Sequence, residues 1–376
     1  MNIQALKDEI INYAHSIGID KIGFASSNVF SQLKERLQEQ QMLGYRSGFE
    51  ESDIEKRTNP RILLPEANSI ISIALAYPSK MTNAPRSTKD ERRGIFCRAS
   101  WGKDYHHILR ERLLKLENFI KERVPNVECK SMVDTGELSD RAVAERAGIG
   151  WSGKNCAVIT PEFGSFVYLG ELITNIPFEP DQPIEERCGS CNKCVEACPT
   201  GALVQGGQLD SSKCIAFLTQ TKGFLADEYR MKIGNRLYGC DTCQMVCPEN
   251  KGKDSHFHLE MEPDPEIAKP LLKPLLQISN REFREKFGHV SGSWRGKKPI
   301  QRNAIIALAH FKDESAIPDL LKLVTDDPRP VIRGTAVWAL GKIAKHDILS
   351  QLNKTKEQEN DPDVLNEYEK LFCSLS

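Results

Sequence analysis

Eight of the twelve cysteines in this 376-residue chain fall between Cys188 and Cys247, at spacings too regular for scattered thiols. The first run places Cys188, Cys191, Cys194 and Cys198 as C-x2-C-x2-C-x3-C, closed by Pro199. The second places Cys240, Cys243 and Cys247 before Pro248, one cysteine short of the first, and Cys214 stands between the runs to supply it. The start of the chain carries Lys7, Asp8 and Glu9 where an export signal needs an apolar stretch. The expectation is therefore a reducing, cytoplasmic setting in which close cysteines bind metal rather than each other.

A cubane of four irons wants one thiolate at each corner. Two-residue spacers let a tight loop wrap three corners, and a fourth cysteine before a proline points away to a second cluster. That is the rhythm of the bacterial ferredoxin run. Applied here, the crossover assigns Cys188, Cys191, Cys194 and Cys247 to one [4Fe-4S] cluster and Cys198, Cys214, Cys240 and Cys243 to another. Zinc also uses paired C-x2-C motifs, but it explains neither the x2-x2-x3 rhythm nor the two Cys-Pro endings. Cys97, Cys129, Cys156 and Cys373 lie outside the pattern and read as ordinary thiols.

Clusters carry electrons but seldom act alone on organic substrates, so another region must hold the reaction site. The length allows two or three domains, and the fold expected is α+β. Residues 1–180 read as mixed α/β. Ser69 to Tyr77 is a buried strand ended by Pro78, and Asp104 to Val124 is a helix with Leu109, Leu113, Leu116 and Ile120 on one face. A shorter helix starts at Ser139 and stops at Gly148. Cys156–Thr160 and Ser165–Leu169 look like a hairpin around a Pro-Glu-Phe-Gly turn. The cysteine region occupies 181–255, a connecting segment 256–298, and a helical repeat 299–376. Asn303 to Leu308 recurs 32 residues on as Thr335 to Leu340, which suggests stacked HEAT-type helix pairs.

Gly148 to Gly153 matches G-x-G-x-x-G, but a helix precedes it and a strand follows, the reverse of a dinucleotide site. The glycines read instead as a helix stop and a close backbone approach to something flat or bulky. Asp134, ahead of Thr135-Gly136, sits where a carboxylic acid could donate a proton.

With these segments in view the chain resembles the epoxyqueuosine reductases. The likeness rests on Val133 to Gly136, Ala147 to Asn155, Gly102 to His106, Glu55 to Arg57 before Asn59-Pro60, Tyr238 to Asp241, and both cysteine runs. It implies a nitroreductase-like cobalamin domain beside a ferredoxin-like domain. It implies reduction of epoxyqueuosine to queuosine at the wobble position of tRNA, with Asp134 as proton donor. Such an Asp would need a raised pKa to be protonated near neutrality. The corrin contacts implied are Arg57, Cys97, Ser152, Lys154, Asn155 and Ser211, and an external low-potential donor would supply electrons to a monomer. Cys97-Arg98-Ala99 departs from the Arg-Tyr-Ala common in the family.

The formal net charge is only -1, so any nucleic-acid surface must be local. Between Arg281 and Arg302 lie seven cationic side chains, including Arg281, Arg295, Lys297 and Lys298, against Glu282 and Glu285, with Trp294 among them. That segment is the expected tRNA contact. Arg86, Lys89, Arg92 and Arg93 form a weaker one. Two rival readings are a corrinoid dehalogenase acting on a small molecule and a non-enzymatic ferredoxin fused to a solenoid.

Overall fold

The computed structural model describes residues 2–344 and 348–375; the expected repeat region therefore includes a few positions outside the described residues. Contacts divide the chain into two compact units that alternate along the sequence: 1–80, 102–214 and 241–262 form the first, and 81–101, 215–240 and 263–376 the second. Among the described residues no helix is long and apolar enough to cross a membrane.

The first unit is built on a four-stranded antiparallel sheet. Its strands are Lys21–Ser26, Ser69–Ala76, Val167–Thr174 and Cys129–Met132, in that spatial order. Ser69–Ala76 is interior and buried at every position, which is why it reads as a continuous apolar run rather than an alternating one. Along Val167–Thr174, alternate residues Val167, Leu169 and Ile173 join a core with Val143 and Ala144 of the Asp140–Arg146 helix. The Tyr105–Arg123 helix is capped by the Asp104 side chain and buries Ile108, Leu109, Leu113, Leu116 and Ile120, as its spacing predicts.

Two local expectations change. Thr160 and Gly164 do bond across the Pro161–Phe163 turn, at 2.8 and 3.0 Å, but the arms then part. Val158–Ile159 pairs with Trp151–Ser152, while Val167–Thr174 enters the large sheet. A neighbour on each side satisfies the backbone groups of the longer strand better than a single hairpin partner could. The glycines after the Asp140–Arg146 helix also differ from the expectation. Gly148 has φ +68 and ends the helix, with Ile149 N–H donating to Ala144 O and Gly148 N–H to Glu145 O. A side chain at Gly148 would strike the Gln182 carbonyl, and one at Gly150 or Gly153 would strike Ile159. The close backbone approach is to the chain itself.

The second unit has a short parallel pair, Ile95–Phe96 with Arg236–Tyr238, and is otherwise helical. Lys297–Phe311 and Pro330–Ile343 carry the two repeat copies, with Ile317–Asp326 between them. Pro330–Ile343 packs against both and against Pro362–Leu375. Lys297–Phe311 is buried continuously from Pro299 to Ala309, so its polar residues must find partners inside. Arg302 donates to the carbonyls of Leu218, Thr221 and Gly223 at 2.7–2.8 Å. Asn303 donates to those of Thr219 and Leu237. Arg230 and Glu367, both buried, form a bidentate pair at 2.6 and 2.8 Å.

Candidate functional site

The strand Cys129–Met132 ends two residues before Asp134, whose φ of +49 is left-handed and uncommon for a residue with a Cβ. The Asp134 N–H donates to Asp140 Oδ2 at 2.7 Å, which fixes the turn. The Asp134 side chain is 58% exposed and its Oδ2 lies 3.3 Å from His106 Nε2. His106 Nδ1 lies 2.7 Å from Asp104 Oδ1. Tyr105 stacks on His106 at 4.2 Å and on Tyr168 at 4.5 Å, with the latter rings 5° from parallel. These contacts hold the imidazole between two carboxylates.

The electrostatics follow from that clasp. Burial opposes the charge on His106, but the hydrogen bonds and charges of Asp104 and Asp134 outweigh it and raise the pKa to about 9. Crowding pushes Asp134 upward, yet bonds to His106 and Tyr105 with the nearby cationic charge hold it below the ordinary Asp value. At neutral pH the proton rests on His106 and Asp134 is its ionised neighbour. The carboxyls pushed up are others: Asp140 to about 6, by burial and then by Asp134, and Glu171 well above its ordinary value, by burial and then by Asp140.

Elsewhere in the first unit Cys188, Cys191, Cys194 and Cys247 line one cavity of about 50 Å³. Lys154, Asn155, Ile159, Arg187, Pro248 and Glu249 complete much of its wall. The Cys191 N–H donates to Cys188 O at 2.9 Å, and Lys154 Nζ donates to Gly189 O at 2.6 Å, so the loop is held from within and from the side. Among the described residues, no three Cys, His, Asp or Glu side chains converge tightly enough for a single ion. A tetrahedral zinc needs four ligand atoms about 2.0–2.3 Å from one point, whereas a cubane takes one thiolate at each of four corners, and four thiols line this cavity. Beside these cysteines, Trp151 Nε1 and Asn155 Nδ2 are buried donors that no protein nitrogen or oxygen satisfies. Asn155 lines the cavity, and the Trp151 indole lies within hydrogen-bonding reach of the Cys188 sulfur. Cluster sulfurs are the acceptors that such donors lack. The residues fit the group.

Cys198 differs from its neighbours. Burial raises its pKa, but the backbone N–H groups of Leu203, Thr200 and Ala202 and the Thr200 hydroxyl more than offset this and favour the thiolate. Cys214 follows the Ser211–Lys213 turn, where Ser211 N–H donates to Tyr45 O. Cys243 lies in the same unit, and Cys240 is the last residue of the second unit before the chain re-enters the first at Asp241.

Of the corrin contacts implied by resemblance, Lys154 and Asn155 face the cysteine cavity, and the Ser152 hydroxyl donates to Glu145 Oε2 at 2.6 Å. Arg57, half-buried in the Ile54–Thr58 helix, and Ser211 remain in the first unit for that role. Cys97 belongs to the second unit, where its N–H donates to Tyr238 O and its sulfur packs on Gly239.

The basic segment is less free than its sequence suggests. Arg281 is exposed and Lys298 half-buried, but Lys297 donates to Ile278 O and Arg295 to Gln220 O. Trp294 is 54% exposed, with Arg295 over its ring at 4.8 Å. Arg302 is wholly structural. In the weaker group Arg93 is buried against both oxygens of Glu266, and Arg92 lies over Phe311. His106, Asp140, Glu171 and Trp151 received no individual role from sequence. The one visible signal was a lone Glu within the otherwise apolar Val167–Ile173 run.

A family model described as "Epoxyqueuosine reductase QueG, DUF1730" matches residues 57–135. One described as "4Fe-4S double cluster binding domain" matches 187–250, and one described as "HEAT repeats" matches 295–370. The chain is 70% identical to an epoxyqueuosine reductase of Bacillus cereus, over 98% of this chain and 97% of that one. It superposes with a TM-score of 0.98, at 69% identity and full coverage of both chains, on an epoxyqueuosine reductase crystallised with a tRNA-Tyr epoxyqueuosine-modified tRNA stem loop. The Bacillus subtilis enzyme, also at 0.98, with 68% identity and full coverage of both chains, has been seen with "the Asp134 catalytic loop swung out of the active site". With a shared fold, three matching regions and this identity along nearly its whole length, the chain belongs to the epoxyqueuosine reductase family of oxidoreductases.

Proposed function

We propose that this chain is a cytoplasmic enzyme that reduces epoxyqueuosine in tRNA to queuosine, with Asp134 delivering a proton to the departing epoxide oxygen. The reaction breaks both C–O bonds of the epoxide and forms a C=C bond. It consumes two electrons and two protons and releases one water. The observation that carries the reading is the Asp104–His106–Asp134 clasp, which holds a proton beside an exposed carboxylate at neutral pH.

The residues divide the work by chemistry. Asp134 accepts a proton at Oδ2 from His106 Nε2 and presents it to the substrate oxygen, while Asp104 steadies the ring. Cys188, Cys191, Cys194 and Cys247 hold one [4Fe-4S] cluster, and Cys198, Cys214, Cys240 and Cys243 hold the other. An external low-potential donor refills them one electron at a time. Arg57 and Ser211 would contact a bound cobalamin, whose low-valent cobalt would supply electrons to carbon. The exposed charge of Arg281 and the half-buried one of Lys298 serve the tRNA phosphates, and Trp294 offers a ring for stacking.

The test is anaerobic incubation of reduced protein with epoxyqueuosine-containing tRNA, with and without added cobalamin, followed by nucleoside analysis. Queuosine formed only with cobalamin supports the full reading. Queuosine formed equally without it, in protein free of corrinoid, removes cobalamin. No queuosine in either case, with clusters intact and reduced, removes the activity.

A further inference from the structure

Glu171 is fully buried on the central-sheet strand Val167–Thr174, and neither of its carboxyl oxygens has a hydrogen-bond partner. Its partners across the sheet are Ser72, whose buried hydroxyl is also unpartnered, and Met132. The group within hydrogen-bonding reach is the carboxyl of Asp140. Asp140 opens the helix that covers this face, and its Oδ2 accepts the Asp134 N–H.

We infer that Glu171 donates one shared proton to Asp140, and that the pair is the latch holding the Asp134 loop in its left-handed conformation. This rests on the role assigned above to Asp134 and names the residues that position it. A half-buried carboxylate beside a fully buried one cannot share the charged state with it at ordinary cost. A neutral Glu171 resolves this: its O–H donates to Asp140, which stays an anion and accepts the Asp134 N–H. The bond between the two carboxyls adds to the rise of Glu171, whereas on Asp140 it offsets part of the burial and the Asp134 charge that carry that group up to about 6.

The surrounding charges leave the proton in place. Arg57 is the cation whose charge reaches Asp140, from the Ile54–Thr58 helix. Arg141 donates to the Cys156 carbonyl, Glu145 is bonded to Ser152, and Lys130 pairs with Glu137 at 3.2 Å. His106 lies beyond Asp134 and is clasped by it. Ser72 can orient the shared proton but carries no charge. Loss of that proton puts two charges in one dry site, and the relief nearest to hand is for Asp140 to turn away. The Asp134 N–H then loses its acceptor and the left-handed turn its main support. In the Bacillus subtilis relative this loop has been seen swung out.

The test uses the full holoprotein and two readouts that need no turnover. Infrared spectroscopy at neutral pH should show a protonated carboxylic acid band that persists in Asp134→Asn and disappears in Glu171→Gln. Hydrogen exchange should show the Asp134 amide protected in the wild type. Exchange should be at least about tenfold faster in Asp140→Ala. In Glu171→Gln protection should persist to alkaline pH, because an amide N–H replaces the shared proton, whereas the wild type should lose it there. A missing band in the wild type, a band unchanged in Glu171→Gln, or equal exchange in Asp140→Ala would overturn the latch. Loss of tRNA reduction in Asp134→Asn addresses the catalytic reading separately, so the two can fail independently.

Discussion

His106 Nε2 lies 3.3 Å from Asp134 Oδ2 while Asp104 holds the other ring nitrogen at 2.7 Å, so the proton closest to the exposed carboxylate sits on an imidazole with a pKa of about 9. A low pKa on Asp134 and a role in proton delivery are then compatible. The carboxylate relays what the imidazole stores.

Replacing His106 with Gln should lower single-turnover tRNA reduction about 10²-fold or more, the usual weight of a positioned acid–base group. Stability should shift as well. His106 is raised in the folded state, so its contribution is full below its unfolded value of about 6.5 and is lost as pH rises through about 9. Asp104 and Asp134 are lowered, so their contribution is present above about 4 and fades as pH falls below that. The difference in thermal midpoint between wild type and His106→Gln, followed by circular dichroism, should be present near pH 6 and vanish near pH 10.

Trp151→Phe removes a donor within reach of Cys188 while keeping the ring. Hydrogen bonds to sulfur stabilise the more negative, reduced cluster. The variant should retain full iron content, and the potential of one cluster should move downward in an electron-paramagnetic redox titration.

Cys194→Ala should cost one cluster and leave the other, so iron and labile sulfide should each fall from about eight to about four per chain. Loss of both clusters would mean that the two sites fold as one.

In the second unit, Glu367→Ala removes the buried counter-charge of Arg230 beside the Trp338 ring and leaves it only the half-exposed Asp227 at 3.3 Å. The expected loss is about 3–5 kcal/mol, seen as a lower denaturant midpoint.

Charge reversal at Arg281 or Lys298 should weaken tRNA binding most at low salt and flatten the salt dependence. Arg302 is different. Its guanidinium ties three carbonyls together, so Arg302→Glu should lower stability rather than selectively weaken RNA binding.

Strong local periodicity carried over from sequence to structure. The Asp104 cap and the leucine stripe fixed the Tyr105–Arg123 helix to within a residue, and the apolar run fixed Ser69–Ala76. The cysteine spacing groups Cys247 with the first three thiols across more than fifty residues as an expectation; in the structure all four line one cavity. The hairpin at Cys156–Leu169 was misread because pairing is decided by strands far away in sequence. The burial of Arg302 and the Asp140–Glu171 contact were illegible for the same reason. A charged letter in a sequence does not say whether tertiary neighbours will leave it in water. Glu171 alone carried a hint, as an acid in an apolar strand.

The most direct test of the account is one turnover of anaerobically reduced protein on epoxyqueuosine-containing tRNA, comparing wild type with Asp134→Asn at matched cluster content. The account predicts queuosine from the wild type and a rate lower by about 10²-fold or more in the variant. Equal queuosine formation by the two proteins would contradict it.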